Sequence, residues 1–220
     1  MRNVDDGADL PLRERKKRAT RQRISDTATL LFAARGFDEV TVAEVARAAE
    51  VSTMTVFNYF PRKEDLFLDR IPEAVEMFTG AARQRPPGVG LFAALRDLGL
   101  ELLEQRHPLG GVDDDFPDFW RIVINSPALC ARAREGVEEL EDALAGVLVE
   151  EVGGEGAGIA ADPHLTAAVA VAAYRSVYVT SARRLLAGEA AEVVADDHRR
   201  RLCAAFDGLE RAYAPVSEAG

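Results

Sequence analysis

Apolar residues return every three or four positions through most of this chain, and no stretch alternates with period two. That pattern predicts an all-α fold of about nine helices. The first helix carries Ile24, Ala28, Leu31 and Phe32 on one face and stops at Gly36, where a left-handed cap is expected. Val42, Val45, Ala46 and Ala49 form the apolar face of a short second helix. Thr41 and Glu44 have the spacing of a capping box at its start, with Val40 and Val45 placed as a hydrophobic staple. After a tight turn, Ser52 caps a third helix whose buried stripe is Val56 and Phe60. Thr53, Met54, Thr55 and Asn58 face elsewhere, Phe57 and Tyr59 lie at the edges, and Pro61 cannot continue the helix.

Two short helices joined by such a turn read as a helix-turn-helix, with the third helix as the one that enters the major groove. Thr53, Met54 and Thr55 occupy its N-terminal turn, where side chains reach base edges. Further along, a helix is expected from Glu64 to about Arg83, kinked near residue 71 by Pro72. Leu91, Leu95, Leu98 and Leu102 mark the next, over about 90–106. Phe116–Ile124 is a short aromatic helix, and Ser126-Pro127 opens another to about Glu151. The Gly-rich GGEGAGIAADP is a loop without the G-K-[ST] of a phosphate cradle. The last two helices span Pro163 to about Leu186 and about 191–213.

A net charge of −10 is at odds with binding nucleic acid, and its distribution resolves the conflict. Residues 10–70 carry a balance of +3, whereas residues 71–220 carry −11. The densest basic run, 13–23, holds Arg13, Arg15, Lys16, Lys17 and Arg18. It reads as a basic arm for phosphates or a minor groove, against the plainer alternative of a solvated helix start. Residues 1–12 are expected to be a disordered tail. No run of ~18 apolar residues suggests a membrane span, and the first residues lack the apolar core of a signal peptide. Cys130 and Cys203 make no disulfide framework, so a cytoplasmic setting is expected, with both as small hydrophobes on helices.

Nothing points to catalysis or to a cofactor. His107, His164 and His198 are far apart in sequence, and His164 and His198 look exposed. No metal-ligand or nucleophile motif occurs, and Asp113–Asp115 lack the spacing of a calcium loop. A helical domain can leave an apolar cavity between helices, which Phe78, Phe116, Phe119, Trp120, Val123, Tyr174 and Tyr178 would line. Arg121 or Arg175 would meet an anionic group there. Each of these aromatics taken singly is more often core than pocket.

From about Arg18 to Leu68 the chain resembles the tetracycline-repressor (TetR) family. The likeness rests on LFAARGF (Leu31–Phe37), the TVAEVARAA helix, the VS turn and TVFNYFPRKEDLF (Thr55–Phe67). It implies a DNA-binding set of Thr41, Val42, Ser52, Thr53, Met54, Thr55, Phe57, Asn58, Tyr59 and Lys63. Tyr59 and Lys63 match positions that touch the DNA backbone, with Thr41 adding its hydroxyl. It implies three domains of function: the tail at 1–12, a helix-turn-helix domain at 13–62, and a helical effector-binding and dimerisation domain at 63–220. The last two helices would build a four-helix bundle with a second copy, helped by Ala167, Ala168, Ala170 and Ala173. Two positions depart from the family pattern: Glu50 where a turn glycine is usual, and Arg62 where a capping serine is usual. FWRIVINSPALCARARE and AAYRSVY are similar to regulators linked to acyl-coenzyme A sensing. The implied function is a DNA-binding transcriptional regulator, a repressor released by a small molecule, with effector binding tilting the helix that begins at Lys63. The alternative is a regulator or activator that binds DNA without an effector.

Overall fold

The structure, a computed structural model, describes residues 11–114, 116–152 and 162–213. Most of the expected tail, Asp115 and most of the Gly-rich loop lie outside the described residues. Nine α-helices and no strand occur among those described: α1 Leu12–Arg35, α2 Val42–Ala48, α3 Thr53–Tyr59, α4 Ile71–Arg83, α5 Leu91–Glu104, α6 Phe116–Asn125, α7 Pro127–Val152, α8 Pro163–Leu186 and α9 Ala191–Tyr213. The expected all-α fold is therefore observed. The basic run, and with it Leu12 of the expected tail, is helical from the first turn of α1.

The chain packs as two compact units. The first comprises residues 1–69 together with 124–132, and the second 70–123 with 133–220. The sequence put its boundary between residues 62 and 63; the packing groups the segment up to Asp69 with the helix-turn-helix. Ile24, Ala28, Phe32, Val45, Val56 and Phe60 form the core of the first unit, as their helical spacing requires.

Several local expectations are corrected. Residues 64–66 form a single 3-10 turn, and α4 starts only at Ile71, so no helix begins at Lys63. Pro72 consequently sits in the first turn of α4, where its missing N–H costs nothing, and it kinks no helix. Gly36 has φ 85° and ψ 155°, which is not the left-handed helical cap but a mirror-extended conformation still open essentially to glycine alone. Glu50, with φ 54°, does hold the turn where glycine is usual, at a cost of about 1 kcal/mol.

In the second unit α5 and α8 both pack on α9. A Cβ at Gly99 of α5 would come within 2.8 Å of the Leu202 side chain, so only glycine lets α5 approach α9 this closely. Ala167 and Ala170 are buried in the core of this unit, so these two serve the chain's own packing. His198, expected to be exposed, is 1% exposed, whereas His164 is exposed as expected. Cys130 and Cys203 are half-buried and not disulfide-bonded.

Candidate nucleic-acid interface and effector cavity

The helix-turn-helix is held by local capping. Thr41 Oγ1 accepts the Glu44 amide, and Glu44 Oε2 accepts the Thr41 amide at 2.8 Å, which completes the capping box. Arg35 donates to Glu44 Oε1 at 2.8 Å and to the Glu39 carbonyl at 2.9 Å, tying the end of α1 to α2. The Thr41 amide, with Arg35 behind it, holds the Glu44 carboxyl down to about 2, so it stays charged wherever DNA binding is measured. The Thr41 hydroxyl also donates to Glu44 at 2.8 Å, so its proton is engaged inside the protein. Ser52 Oγ accepts the Thr55 amide at 3.0 Å and lies 2.8 Å from Thr55 Oγ1. Thr55 is thereby drawn into the cap.

That leaves an outward face on α3. Thr53, Met54, Phe57 and Asn58 are exposed, and Met54 is 70% exposed, around the buried stripe of Val56 and Phe60. Ser52 and Thr41 are exposed at the two helix starts, while Val42, Thr55 and Tyr59 are half-buried. An exposed methionine and phenylalanine side by side on a short polar helix suit contact with thymine methyls and sugar edges. Arg13, Arg15, Lys16, Lys17 and Arg18 are all exposed on α1. Arg21, one turn beyond Lys17, lies 4.8 Å over the Phe60 ring and donates to the Asp69 carbonyl at 2.8 Å. Ser25 Oγ also donates to Asp69, at 2.7 Å, so α1 is locked to the segment that follows α3.

Lys63 is placed differently from its expected outward role. Its Nζ donates to the Phe37 carbonyl at 2.6 Å and sits 4.2 Å over the Phe37 ring. It closes the α1–α2 corner. Lys63→Met keeps the aliphatic stem and removes the charge, so the melting temperature should fall by about 2–6 °C. The log–log salt slope of DNA binding should stay unchanged; a drop of about 1 would return the ammonium to a phosphate.

No sequence signal foretold the role of residues 124–132 in this unit. Arg132 is 7% exposed and its Nε donates to Asp65 Oδ1 at 2.7 Å. Asp65 Oδ2 accepts the Arg62 amide at 3.1 Å, the reciprocal half of a capping box, so this bond survives without a serine at 62. Ser126 Oγ donates to Asp38 at 3.1 Å, and Leu129 is fully buried.

In the second unit the expected pocket aromatics do meet, as a ring-to-ring cluster. Phe116 contacts Phe119, Trp120 and Tyr178 at centroid distances of 5.6, 6.1 and 5.5 Å. Tyr174 joins Phe78 at 4.8 Å and Tyr178 at 6.4 Å. Burial raises the pKa of both tyrosines, so neither phenol ionises at neutral pH. Phe78 and Val123 are fully core. The two arginines do not join the cluster: Arg121 is 57% exposed and paired with Asp118 one turn back, and Arg175 is exposed. A half-open cavity of about 300 Å³ adjoins the cluster, lined by Leu103, Val112, Ala191 and Ala195 and by six charged residues, four acidic and two arginines. No group of three or more potential metal ligands, and no helix long and apolar enough to cross a membrane, occurs among the described residues.

Comparison with known proteins agrees with this geometry. Residues 24–69 match the model of bacterial regulatory proteins of the tetR family. The transcriptional regulator TcmR of Streptomyces glaucescens is 33% identical over 145 residues, which cover 64% of this chain and 64% of that protein. The chain thus spans just under two thirds of that relative's length. Two solved structures share the fold. SmeT in complex with triclosan has a TM-score of 0.56 at 17% identity, covering 90% of this chain and 93% of that one. The flavonoid-responsive regulator FrrA has a TM-score of 0.54 at 24% identity, covering 90% of this chain and 99% of that one.

Proposed function

We infer that this chain, whose residues 24–69 are a tetR-family helix-turn-helix domain, is a DNA-binding transcriptional regulator, a repressor released by a small molecule. The observation that carries the reading is the exposed face of α3 beside the basic face of α1, both in one compact unit. Thr53, Met54, Phe57 and Asn58 are the base-reading set, and Thr41, Val42, Ser52, Thr55 and Tyr59 its flanks. The protein acts in the cytoplasm as a homodimer. Leu165 and Val193, each 55% exposed on α8 and α9, are what a second copy would cover. A non-enzyme reading is supported by the relatives, which are regulators.

Effector responsiveness is supported by the cavity of the second unit, whose lining is apolar at four residues and charged at six. It is also supported by two proteins of the same fold, one flavonoid-responsive and one bound to triclosan. An acyl-coenzyme A or other anionic effector rests on the sequence likeness alone, because Arg121 and Arg175 face solvent. Selection of bound duplexes from a random pool should return a two-fold symmetric site with half-site centres about 34–36 Å apart. A pool that enriches no sequence would remove the reading. If a broad metabolite screen finds no compound that shifts affinity by ~5-fold, the constitutive alternative takes its place.

A further inference from the structure

Most of the polar groups around α3 are engaged inside the protein. The Thr41 hydroxyl donates to Glu44 at 2.8 Å, and the hydroxyls of Ser52 and Thr55 hold each other at 2.8 Å. The cations that follow α3 are engaged as well: Lys63 donates to the Phe37 carbonyl, and Arg62 pairs with Asp65. Asn58 differs. It is exposed, and its side-chain amide makes no hydrogen bond among the described residues. The helix itself, TMTVFNY, carries no Lys, Arg, Asp or Glu. Its outward side is therefore Thr53, Met54, Phe57 and Asn58. Met54 and Asn58 are four residues apart, as are Thr53 and Phe57, so the four form two neighbouring rows on one side of the helix.

The chemistry of those rows narrows which bases they can face. In the major groove guanine shows two acceptors, N7 and O6, which the end of an Arg or Lys answers, and cytosine shows a donor, which a carboxylate answers. The outward side of α3 offers neither. Thymine shows a methyl group, and adenine shows the N7 acceptor beside the N6 donor. An amide carries a donor beside an acceptor, so Asn58 matches adenine, whereas on guanine its oxygen would meet a second acceptor. Met54 is 70% exposed and Phe57 44%. A guanine edge beneath either would lose its water and gain no donor, whereas a thymine methyl gains apolar contact. The Thr53 hydroxyl donates or accepts and so discriminates least.

We propose that the base pairs facing α3 are A·T pairs, with Met54 and Phe57 selecting thymine by its methyl group and Asn58 selecting adenine by N6 and N7. The proposal rests on the reading of the first unit as the DNA-binding part. It names the base class that this reading leaves open and the residues that discriminate.

The test uses the full chain. Duplexes are selected from a random pool by the wild type and by Met54→Ala, Phe57→Ala and Asn58→Ala. All three positions are exposed, so the variants should fold as the wild type does. Each variant should relax the preference at the pair it reads, which locates that pair in the site. Thymine is then replaced by uracil, which removes only the methyl group, and adenine by 7-deazaadenine, which removes only the N7 acceptor, one position of one half-site at a time. Uracil at the Met54 or Phe57 pair should weaken wild-type binding about 3–5-fold and leave the matching variant within about 1.5-fold. At the Asn58 pair 7-deazaadenine should cost the wild type about 10-fold and Asn58→Ala less than about 1.5-fold. The proposal is overturned if the preference lost in any of these variants is for a G·C pair, or if the variants select the wild-type site unchanged. It is equally overturned if uracil, or 7-deazaadenine, is tolerated at every position. In each of those cases an enriched site still upholds sequence-specific DNA binding. A pool that enriches no sequence would remove that reading and the proposal together.

Discussion

Glutamine at Arg13, Arg15, Lys16, Lys17 and Arg18 together should weaken binding to every duplex about 100-fold at ~0.15 M salt and lower the log–log salt slope by about 3. Five phosphate contacts would lower it by about 4.5, and the smaller figure follows from helix geometry. Residues 12–35 are one helix, so the basic run is not a flexible arm that can turn every side chain to the DNA. At 3.6 residues per turn, Arg13, Lys17 and Arg21 stack along one face, with Arg18 beside them. Arg21 lies over Phe60 at the end of α3, so this face adjoins the recognition helix. Measured round the helix from Arg21, which marks the side next to α3, Arg18 lies about 60° away, whereas Arg15 and Lys16 lie about 120–140° away. The triple Arg13→Gln, Lys17→Gln, Arg18→Gln should therefore reproduce most of the loss, and the double Arg15→Gln, Lys16→Gln little of it. Titrations at several salt concentrations, on a selected site and on random DNA, separate the two variants. Equal losses from the triple and the double would mean that the run acts as diffuse charge and that the helix face has no register on the DNA. A loss confined to the selected site would contradict a phosphate role altogether.

The helix-turn-helix was legible in the sequence because its determinants are local. Thr41 with Glu44, and Ser52 with Thr55, close over three residues, so their spacing alone names the helix starts. What was misread depends on distant partners. The Lys63 ammonium finds a carbonyl 26 residues back, and nothing near Lys63 in the chain announces it. The 3-10 turn at 64–66 has the same origin, since Asp65 is held from 67 residues away by Arg132. His198 is a different kind of error. Its neighbours Asp196, Asp197 and the three following arginines suggested a solvated run, yet Val194, His198, Leu202 and Phe206 recur every four residues and are all buried. Helical spacing should have outweighed local polarity there. Arg121 and Arg175 were assigned inward because aromatics surround them in sequence. Side-chain direction on a helix follows the pitch, which sends both outward while Trp120 and Tyr174 turn in.

Arg132→Met should cost the first unit about 2 kcal/mol and speed hydrogen exchange in α3 roughly 30-fold, the conversion of that free energy. Removing one partner of a fully buried pair costs about 3–5 kcal/mol, and the lower figure allows for the partial exposure of Asp65. Asp65 is 17% exposed at the side chain and would keep only Arg62 of the partners described above. The double substitution with Asp65→Asn should show a coupling above ~1 kcal/mol, whereas Ser126→Ala, which loses a 3.1 Å bond to Asp38, should cost less than ~1 kcal/mol. Exchange measured residue by residue on the free chain checks the expectation, because Arg132 and Asp65 both belong to the first unit and Asp65 lies in the turn just beyond α3. Unchanged exchange in α3 would mean that the buried pair does not hold this unit together.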